Sequence, residues 1–210
     1  RPLDDERRDW PLSSATWVED YWESKSHPHR QLIVEGVGSC GPISSVLEVG
    51  SNCGPNLALL RDRFSYLKDD RLAGIDANAD AIAFAKQQLP GIDFRVGSAL
   101  TLPYADRSFD LVLADAVLMY VSPKDISKAM DEIARVADKA VILVEWGDEK
   151  SAEGVVKDFH WCRNYGKLLE KRGFEVAKAK IEKAFWPNES WANHGYRYIA
   201  RRVLKTSKGS

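Results

Sequence analysis

The chain carries almost no net charge. Across 210 residues, 30 Lys and Arg stand against 31 Asp and Glu, leaving −1 at neutral pH. A protein held to nucleic acid or an anionic membrane by its overall field needs a basic surplus, and neither a surplus nor a basic stripe is present. Long apolar runs are also missing. Hydrophobic residues make up 44% of the chain, but they come in short groups, far from the roughly 20 residues that cross a bilayer. The opening Arg-Pro-Leu-Asp-Asp-Glu does not read as a signal peptide. Cysteine is scarce: Cys40, Cys53 and Cys162 are odd in number and show no paired spacing, which argues against a disulfide framework or a zinc site and fits reduced thiols in the cytoplasm. No His, Cys and Asp cluster has ligand spacing, so no metal is expected. Internal repeats, low-complexity tracts and a second domain are absent. What remains is the composition of one soluble globular unit, 29% charged, expected to be cytoplasmic with no nucleic-acid or membrane partner.

What is present is organised around residues 44–56. Val46, Leu47 and Val49 form a short apolar run broken by Glu48, and Gly50-Ser51-Asn52-Cys53-Gly54 turns into a helical run at Leu57 to Leu60. A short apolar run bounded by turn residues reads as a buried parallel strand. Glycine directly after it lets the chain turn tightly and a ligand approach the main chain. The helix that follows aims its unbonded N–H groups at that ligand. This is a nucleotide-type site at the carboxyl end of the first strand. A dinucleotide fingerprint, G-x-G-x-x-G, needs glycine at 50, 52 and 55. Only Gly50 qualifies, since Asn52 and Pro55 fill the other places, so a hydride-transfer cofactor is disfavoured.

Glu48 to Gly54 instead resembles the E-x-G-x-G-x-G motif of class I S-adenosylmethionine-dependent methyltransferases. The departure is Asn52 at the middle glycine, and asparagine tolerates left-handed backbone better than other side chains. Gly74-Ile75-Asp76-Ala77-Asn78 closes a second strand, Arg71 to Asp76, and resembles the second motif of the same family. Gly97 to Pro123 resembles its G-D-A-x-x-L-P-F-x-D-x-S-F-D-L-V region, with Ser98 in place of an aspartate. The resemblance covers Ser45 to Trp146, and more loosely the rest through Val203. It implies a Rossmann-like α/β fold: a doubly wound sheet of about seven strands, the last antiparallel, with helices on both faces. It implies S-adenosyl-L-methionine as cofactor. Glu48, Gly50, Ser51, Asn52, Gly54 and Asn56 would bind it, with Asp115 and Ala116 beyond the fourth strand. Asp76 and Ala77 would take the ribose, Ser98, Ala99 and Leu100 the adenine, and Arg30 would lie near the cofactor carboxylate.

The remaining elements follow from pattern. Residues 1–41 read as an N-terminal helical lid or appendage, in which Ser13 or Ser14 caps a helix with Trp17 and Tyr21 on one face. His27-Pro28-His29-Arg30 breaks it, and Gln31 to Val37 is helical. Residues 42–204 form the main domain and 205–210 a flexible tail. Asp110 to Ala114 is a fourth strand. No (D/N)-P-P-Y segment follows it, which counts against planar amide or adenine nitrogens as acceptors. Ser122 caps the next helix in an S-x-x-D pattern, with Pro123 in its first turn, and Ile126, Met130, Ile133 and Ala137 share its apolar face. Ala140 to Trp146 is a fifth strand. A helix then carries Phe159, His160, Trp161, Tyr165, Leu168 and Leu169, Phe174 to Ala179 and Tyr196 to Val203 are the last strands, and Phe185 to His194 is an aromatic loop without a regular period, either a flap shielding the sheet edge or a wall of the acceptor pocket.

Methyl transfer is an in-line displacement that gains most from alignment and from excluding water. A hydroxyl acceptor also needs a route for its proton. Asp115, Glu145, His160 and His194 are the candidate bases, and His160 is favoured because histidine titrates near neutrality. Asp115 is the second catalytic candidate, or else holds the methionine end. Trp17, Tyr21, Trp146, Trp161 and Trp191 either wall the acceptor pocket or plug the sheet edges. The function expected is methyl transfer to a hydroxyl or amine of a small molecule, by a monomer or homodimer. The alternatives are a cofactor-binding module without catalysis and a protein or RNA methyltransferase.

Overall fold

The computed structural model describes residues 17–151, 154–157 and 160–203. Helix α1, Trp17–Glu23, and helix α2, Arg30–Ser39, precede strand β1, Val46–Val49. Then come α3 (Pro55–Arg63), β2 (Leu72–Asp76), α4 (Ala79–Gln88), β3 (Asp93–Val96) and β4 (Phe109–Asp115). The second half holds α5 (Ile126–Val136), β5 (Ala137–Trp146), β6 (Val155–Lys157), β7 (His160–Cys162), α6 (Tyr165–Glu170), β8 (Phe174–Lys180), α7 (Glu189–His194) and β9 (Gly195–Arg202).

Seven strands form one sheet in the order β3-β2-β1-β4-β5-β9-β8, while β6 and β7 make a separate antiparallel ribbon. The first five strands of the sheet run parallel, and β9 is antiparallel to both neighbours. The expected doubly wound sheet with its last strand reversed is what the chain adopts. The order reverses between β1 and β4, which opens a crevice at their carboxyl ends.

Because successive side chains on a strand face opposite ways, each strand feeds two cores. Val46, Leu111, Leu113, Ile142 and Val144 pack under α2, α3 and α4 with Leu32, Ile33, Leu57 and Ile82. Leu47, Val49, Val112, Ala114, Val141 and Leu143 pack under α5 and α6 with Met130, Ile133 and Leu169. The same parity turns Glu48, Asp115 and Trp146 toward the α2–α3 face and Glu145 toward the other. Helix α2 is thus built into the main core. Residues 1–16 and 204–210 lie outside the described residues, as do Ser13, Ser14, Phe159 and the side chain of Trp17. Among the described residues no helix is long and apolar enough to cross a membrane.

Four local expectations are corrected. His160 and Trp161 lie on β7, not on a helix. Asn164 caps α6 by accepting the Lys167 N–H at 3.0 Å, so helical structure begins only at Tyr165. Ser122 does not cap α5. Its hydroxyl donates to the Asp125 carboxylate at 2.8 Å, its carbonyl closes a turn on Asp125 and Ile126, and the helix starts at Ile126. Ala137, expected on that helix, opens β5. The aromatic loop is partly regular: Asn188 caps α7 through the Ser190 and Trp191 N–H groups, which drives Trp191 into the core, 8% exposed.

Glu48 is the unusual residue of the central strand. It is 1% exposed, and burial drives its carboxyl from an ordinary 4.5 up to about 8 against the hydrogen bond from Asn56. Between those two values the folded chain holds a proton that the unfolded chain has lost. Stability therefore falls as pH rises through that window, at a limiting slope of about 1.4 kcal/mol per pH unit. Glu48→Gln keeps an acceptor for Asn56 and should lessen the slope in urea denaturation run on either side of neutrality. An unchanged slope would mean that Glu48 is ionised in the folded protein.

Candidate active site

A cavity of about 780 Å³ opens at the carboxyl ends of β1, β2, β4 and β5, within the range of about 300–1,000 Å³ usual for ligand pockets. Its β2 side is built on the turn after β1. The Gly50 and Ser51 N–H groups both donate to the Ile75 carbonyl, at 2.7 and 3.1 Å, tying the turn to β2. Gly50 has φ +75°, and a side chain there would meet Val117 at 2.1 Å, so only glycine lets the loops after β1 and β4 approach so closely. Asn52 takes φ 49°, and its side-chain oxygen accepts the Cys53 N–H at 2.7 Å. The asparagine thus holds the left-handed turn that glycine holds in the motif. Asp76, at the tip of β2, accepts N–H bonds from Asn52 and Asn78, both at 2.8 Å. Burial raises its carboxyl, opposed by those bonds. Ala77, Ser98, Ala99 and Leu100 continue this wall.

At the centre lies Asp115, 5% exposed. One carboxylate oxygen accepts from Asn56 Nδ2 at 3.0 Å and from His29 Nε2 at 3.1 Å, with Arg30 3.8 Å away. Burial alone would raise this carboxyl, but His29, Arg30 and Asn56 outweigh it and hold the group below the usual carboxylate range. Its other oxygen, Oδ1, has no partner among the described residues. Arg30 donates to Asn56 Oδ1 at 2.6 Å and to the Ser24 carbonyl at 2.8 Å, and its guanidinium lies 5.5 Å from the Tyr21 ring. Glu48 sits behind Asn56, 2.7 Å from its amide nitrogen. Arg30, Gly50, Asn52, Asp115 and Ala116 line the cavity, whereas Glu48, Ser51, Gly54 and Asn56 do not. The last four act from behind the wall, where the turn and the pleat bury them.

The β5 side is aromatic. Trp146 meets His160 at 4.7 Å and Trp191 at 5.9 Å between ring centroids, and Tyr120 meets His160 at 4.9 Å. Trp186 stacks on Trp191 at 3.6 Å and lies 4.0 Å from His29. The Trp146 indole N–H is buried without a partner among the described residues. Tyr21, Trp146, His160 and Trp191 line the cavity. Trp161 is absent from the lining: on β7 its side chain alternates away from that of His160, and Arg163 lies 5.4 Å from its ring. Glu145 is no base for this cavity, because it accepts the Val117, Leu118 and Met119 N–H groups at 2.8–3.1 Å from the opposite face. Arg163 donates to the Leu118 and Val121 carbonyls, so the pair fixes both ends of the loop after β4. His194 packs on Trp146 outside the lining. Sequence reasoning missed His27, His29 and Tyr120 as lining residues, while Trp186 comes from the aromatic loop 185–194. The histidines stood in what read as a helix break, and nothing local marked them. Among the described residues no group of three His, Cys, Asp or Glu is placed to hold a metal ion.

The chemistry of this cavity fits a sulfonium nucleoside: a paired acid at the tip of β2, a loop that excludes any side chain at Gly50, and a buried carboxylate with one unused oxygen. Comparison with known proteins agrees. The methyltransferase-domain family matches residues 46–140. An uncharacterized methyltransferase of Schizosaccharomyces pombe, C25B8.09, is 22% identical over 203 residues, covering 96% of this chain and 68% of its own. The demethylmenaquinone methyltransferase of Renibacterium salmoninarum is 34% identical over 116 residues, 55% of this chain and 45% of its own length. In fold, the magnesium protoporphyrin IX methyltransferase of Synechocystis, crystallised with bound S-adenosylhomocysteine, superposes with a TM-score of 0.65 at 15% identity over 90% of this chain and 89% of that one. Residues 46–140 thus match a methyltransferase domain, in a fold shared with crystallised S-adenosylmethionine-dependent methyltransferases.

Proposed function

We propose that the protein methylates a hydroxyl or amine of a small molecule enclosed between the two halves of the cavity. The observation that carries this reading is the Trp146 indole N–H, buried and unpaired on a residue that lines an otherwise aromatic chamber. An unsatisfied buried donor costs about 1–3 kcal/mol, and a polar group on an enclosed acceptor relieves that cost. A protein or RNA acceptor calls for an exposed, basic docking face, and the balanced charge of the chain offers no support for one.

Bound in the cavity, S-adenosylmethionine supplies an electrophilic methyl group on a cationic sulfur. In our reading Asp76 accepts the ribose hydroxyls, since each of its oxygens already takes one N–H and has a lone pair left. Ser98, Ala99 and Leu100 pack the adenine. Asp115 presents its unused oxygen to the cofactor ammonium, a charge-assisted bond, while Arg30 and Asn56 hold that carboxylate in place. Tyr21 and Arg30 bound the carboxylate end of the cofactor. The aromatic residues Tyr120, Trp146, Trp186 and Trp191 exclude water and hold the acceptor in line. His160 stands at this wall, within reach of Trp146 and Tyr120. Two of the three thiols are buried, Cys53 and Cys162, in keeping with a reducing, cytoplasmic setting.

Two expectations test the assignment. Asp76→Ala should weaken cofactor binding, read by calorimetry with S-adenosylhomocysteine, by about 1.5–3 kcal/mol, the scale of a hydrogen bond to a charged group. Unchanged affinity in a folded variant would move the ribose contact elsewhere. Trp146→Leu should bind the cofactor as the parent does, yet lose most of its turnover in a screen of small hydroxyl and amine acceptors. Thermal denaturation must accompany that assay, because truncating a buried tryptophan costs about 3–5 kcal/mol. Full turnover in the stable variant would place the acceptor outside the aromatic chamber.

A further inference from the structure

His27 and His29 are two residues apart at the entry to α2, and both line the cavity. Their rings lie 4.6 Å apart between centroids, with the two Nδ1 atoms 2.5 Å from each other. On its far side His29 Nε2 meets Asp115 Oδ2 at 3.1 Å. The three groups form a line: an anionic carboxylate buried at the end of β4, a 5% exposed imidazole, and a half-buried imidazole at the cavity wall. From this geometry we infer that His27, His29 and Asp115 form a proton relay that takes the proton of the methyl acceptor. The inference rests on the small-molecule reading above and adds the residues that remove the proton.

The donors and acceptors decide where the protons sit. An ionised carboxylate only accepts, so His29 Nε2 carries a hydrogen. A 2.5 Å contact between two ring nitrogens requires one proton between them. With that proton on His27, the His27 Nε2 is an unprotonated lone pair and the pair is ready to act as a base. An acceptor hydroxyl loses its proton to His27 Nε2 while its oxygen gains the methyl, and the sulfur keeps the electron pair of the broken carbon–sulfur bond. The central proton then shifts to His29 Nδ1, so the positive charge arrives on His29 beside Asp115. His27 Nδ1 is left as an acceptor for two donors, the His29 ring N–H and the His29 backbone N–H. The structure holds that second donor in place, 3.3 Å from His27 Nδ1. The protonated end state is therefore the one whose hydrogen bonds are already built.

The neighbours favour the same direction of transfer. Burial, then His29 and Arg30, push His27 below the ordinary histidine range, so it does not retain the proton. Trp186 covers both rings, at 5.4 Å from His27 and 4.0 Å from His29, which keeps water off the contact. The charged and titratable groups facing the pair are Arg30 on α2, Asp115 at the end of β4, Tyr21 on α1 and, behind Asn56, Glu48 on β1. A competing role is structural, with the pair only fastening the start of α2 to the sheet.

The test is a nitrogen-15 NMR titration of histidine-labelled full chain saturated with S-adenosylhomocysteine, in the parent, His27→Gln and Asp115→Asn. The relay predicts a single low-field Nδ1 proton coupled to nitrogens of both rings, absent in His27→Gln and displaced in Asp115→Asn. Independent, ordinary titration of the two rings, unmoved by Asp115→Asn, would overturn the relay while leaving the cofactor site intact. Loss of S-adenosylhomocysteine binding by the parent chain would instead remove the reading beneath it. With any hydroxyl acceptor found by screening, His27→Gln should lower kcat by about 10²–10⁴-fold, the range of general-base catalysis, with KM little changed. The acidic limb of the pH profile should vanish with it and survive in His160→Ala. The reverse pattern would assign the base to His160. Should His27→Gln fail to fold, the parent titration decides alone.

Discussion

The arrangement turns on one buried carboxylate. Asp115 ends the strand beside β1, at the point where the sheet order reverses, and it collects Asn56 from α3 and His29 and Arg30 from the start of α2. An uncompensated charge at this depth costs several kcal/mol. The cationic and amide groups around it offset that cost only if α2 and α3 sit where they do. The same contacts that satisfy Asp115 therefore position the floor of the cavity. Glu48, one strand away, takes the other course: with Asn56 as its only bonding partner among the described residues, its carboxyl is driven toward the neutral form. One acid kept ionised and one kept neutral, both touching Asn56, divide the electrostatics of the central sheet between them.

A second pair acts on the far face of the sheet. Glu145 receives three backbone N–H groups of the loop after β4, and Arg163 donates to two of its carbonyls. That loop runs from Val117, which touches Gly50, to Tyr120, which meets His160. Short loops with this many side-chain bonds to their backbone are held in one conformation. The β2 side and the aromatic side of the cavity thus share one fixed loop.

Much of the fold was legible from residue pattern. The apolar run at Val46, the glycine turn and the acid at Asp76 mark two strands and a helix by local chemistry alone, and these survive in the structure with small shifts of boundary. Asn52 replaced a glycine yet kept the turn, because its short side chain bonds the next N–H. Residues 155–157 and 160–162 were misread as helical, because aromatic residues near Tyr165 and Leu168 extend the pattern of a helical face. Only the cap at Asn164 separates the β ribbon from the helix that follows. Trp161 followed the same error: on a helix it would share a region with His160, and on a strand it faces the other way.

By itself the sequence determined the class of fold, the cofactor and the acid at the second strand, since each depends on residues adjacent in the chain. It could not determine which distant side chains meet. His27 and His29 joined Asp115, Trp186 joined them, and Trp161 left the site, all through packing across 86 residues or more in the case of His29 and Asp115. The pleat of β4 and β5 decided that Asp115 and Trp146 face one layer and Glu145 the other. That choice has a period of two residues and is enforced by the burial of two cores at once. Only the tertiary structure counts that period from a fixed origin, and so only it assigns each polar group to a face.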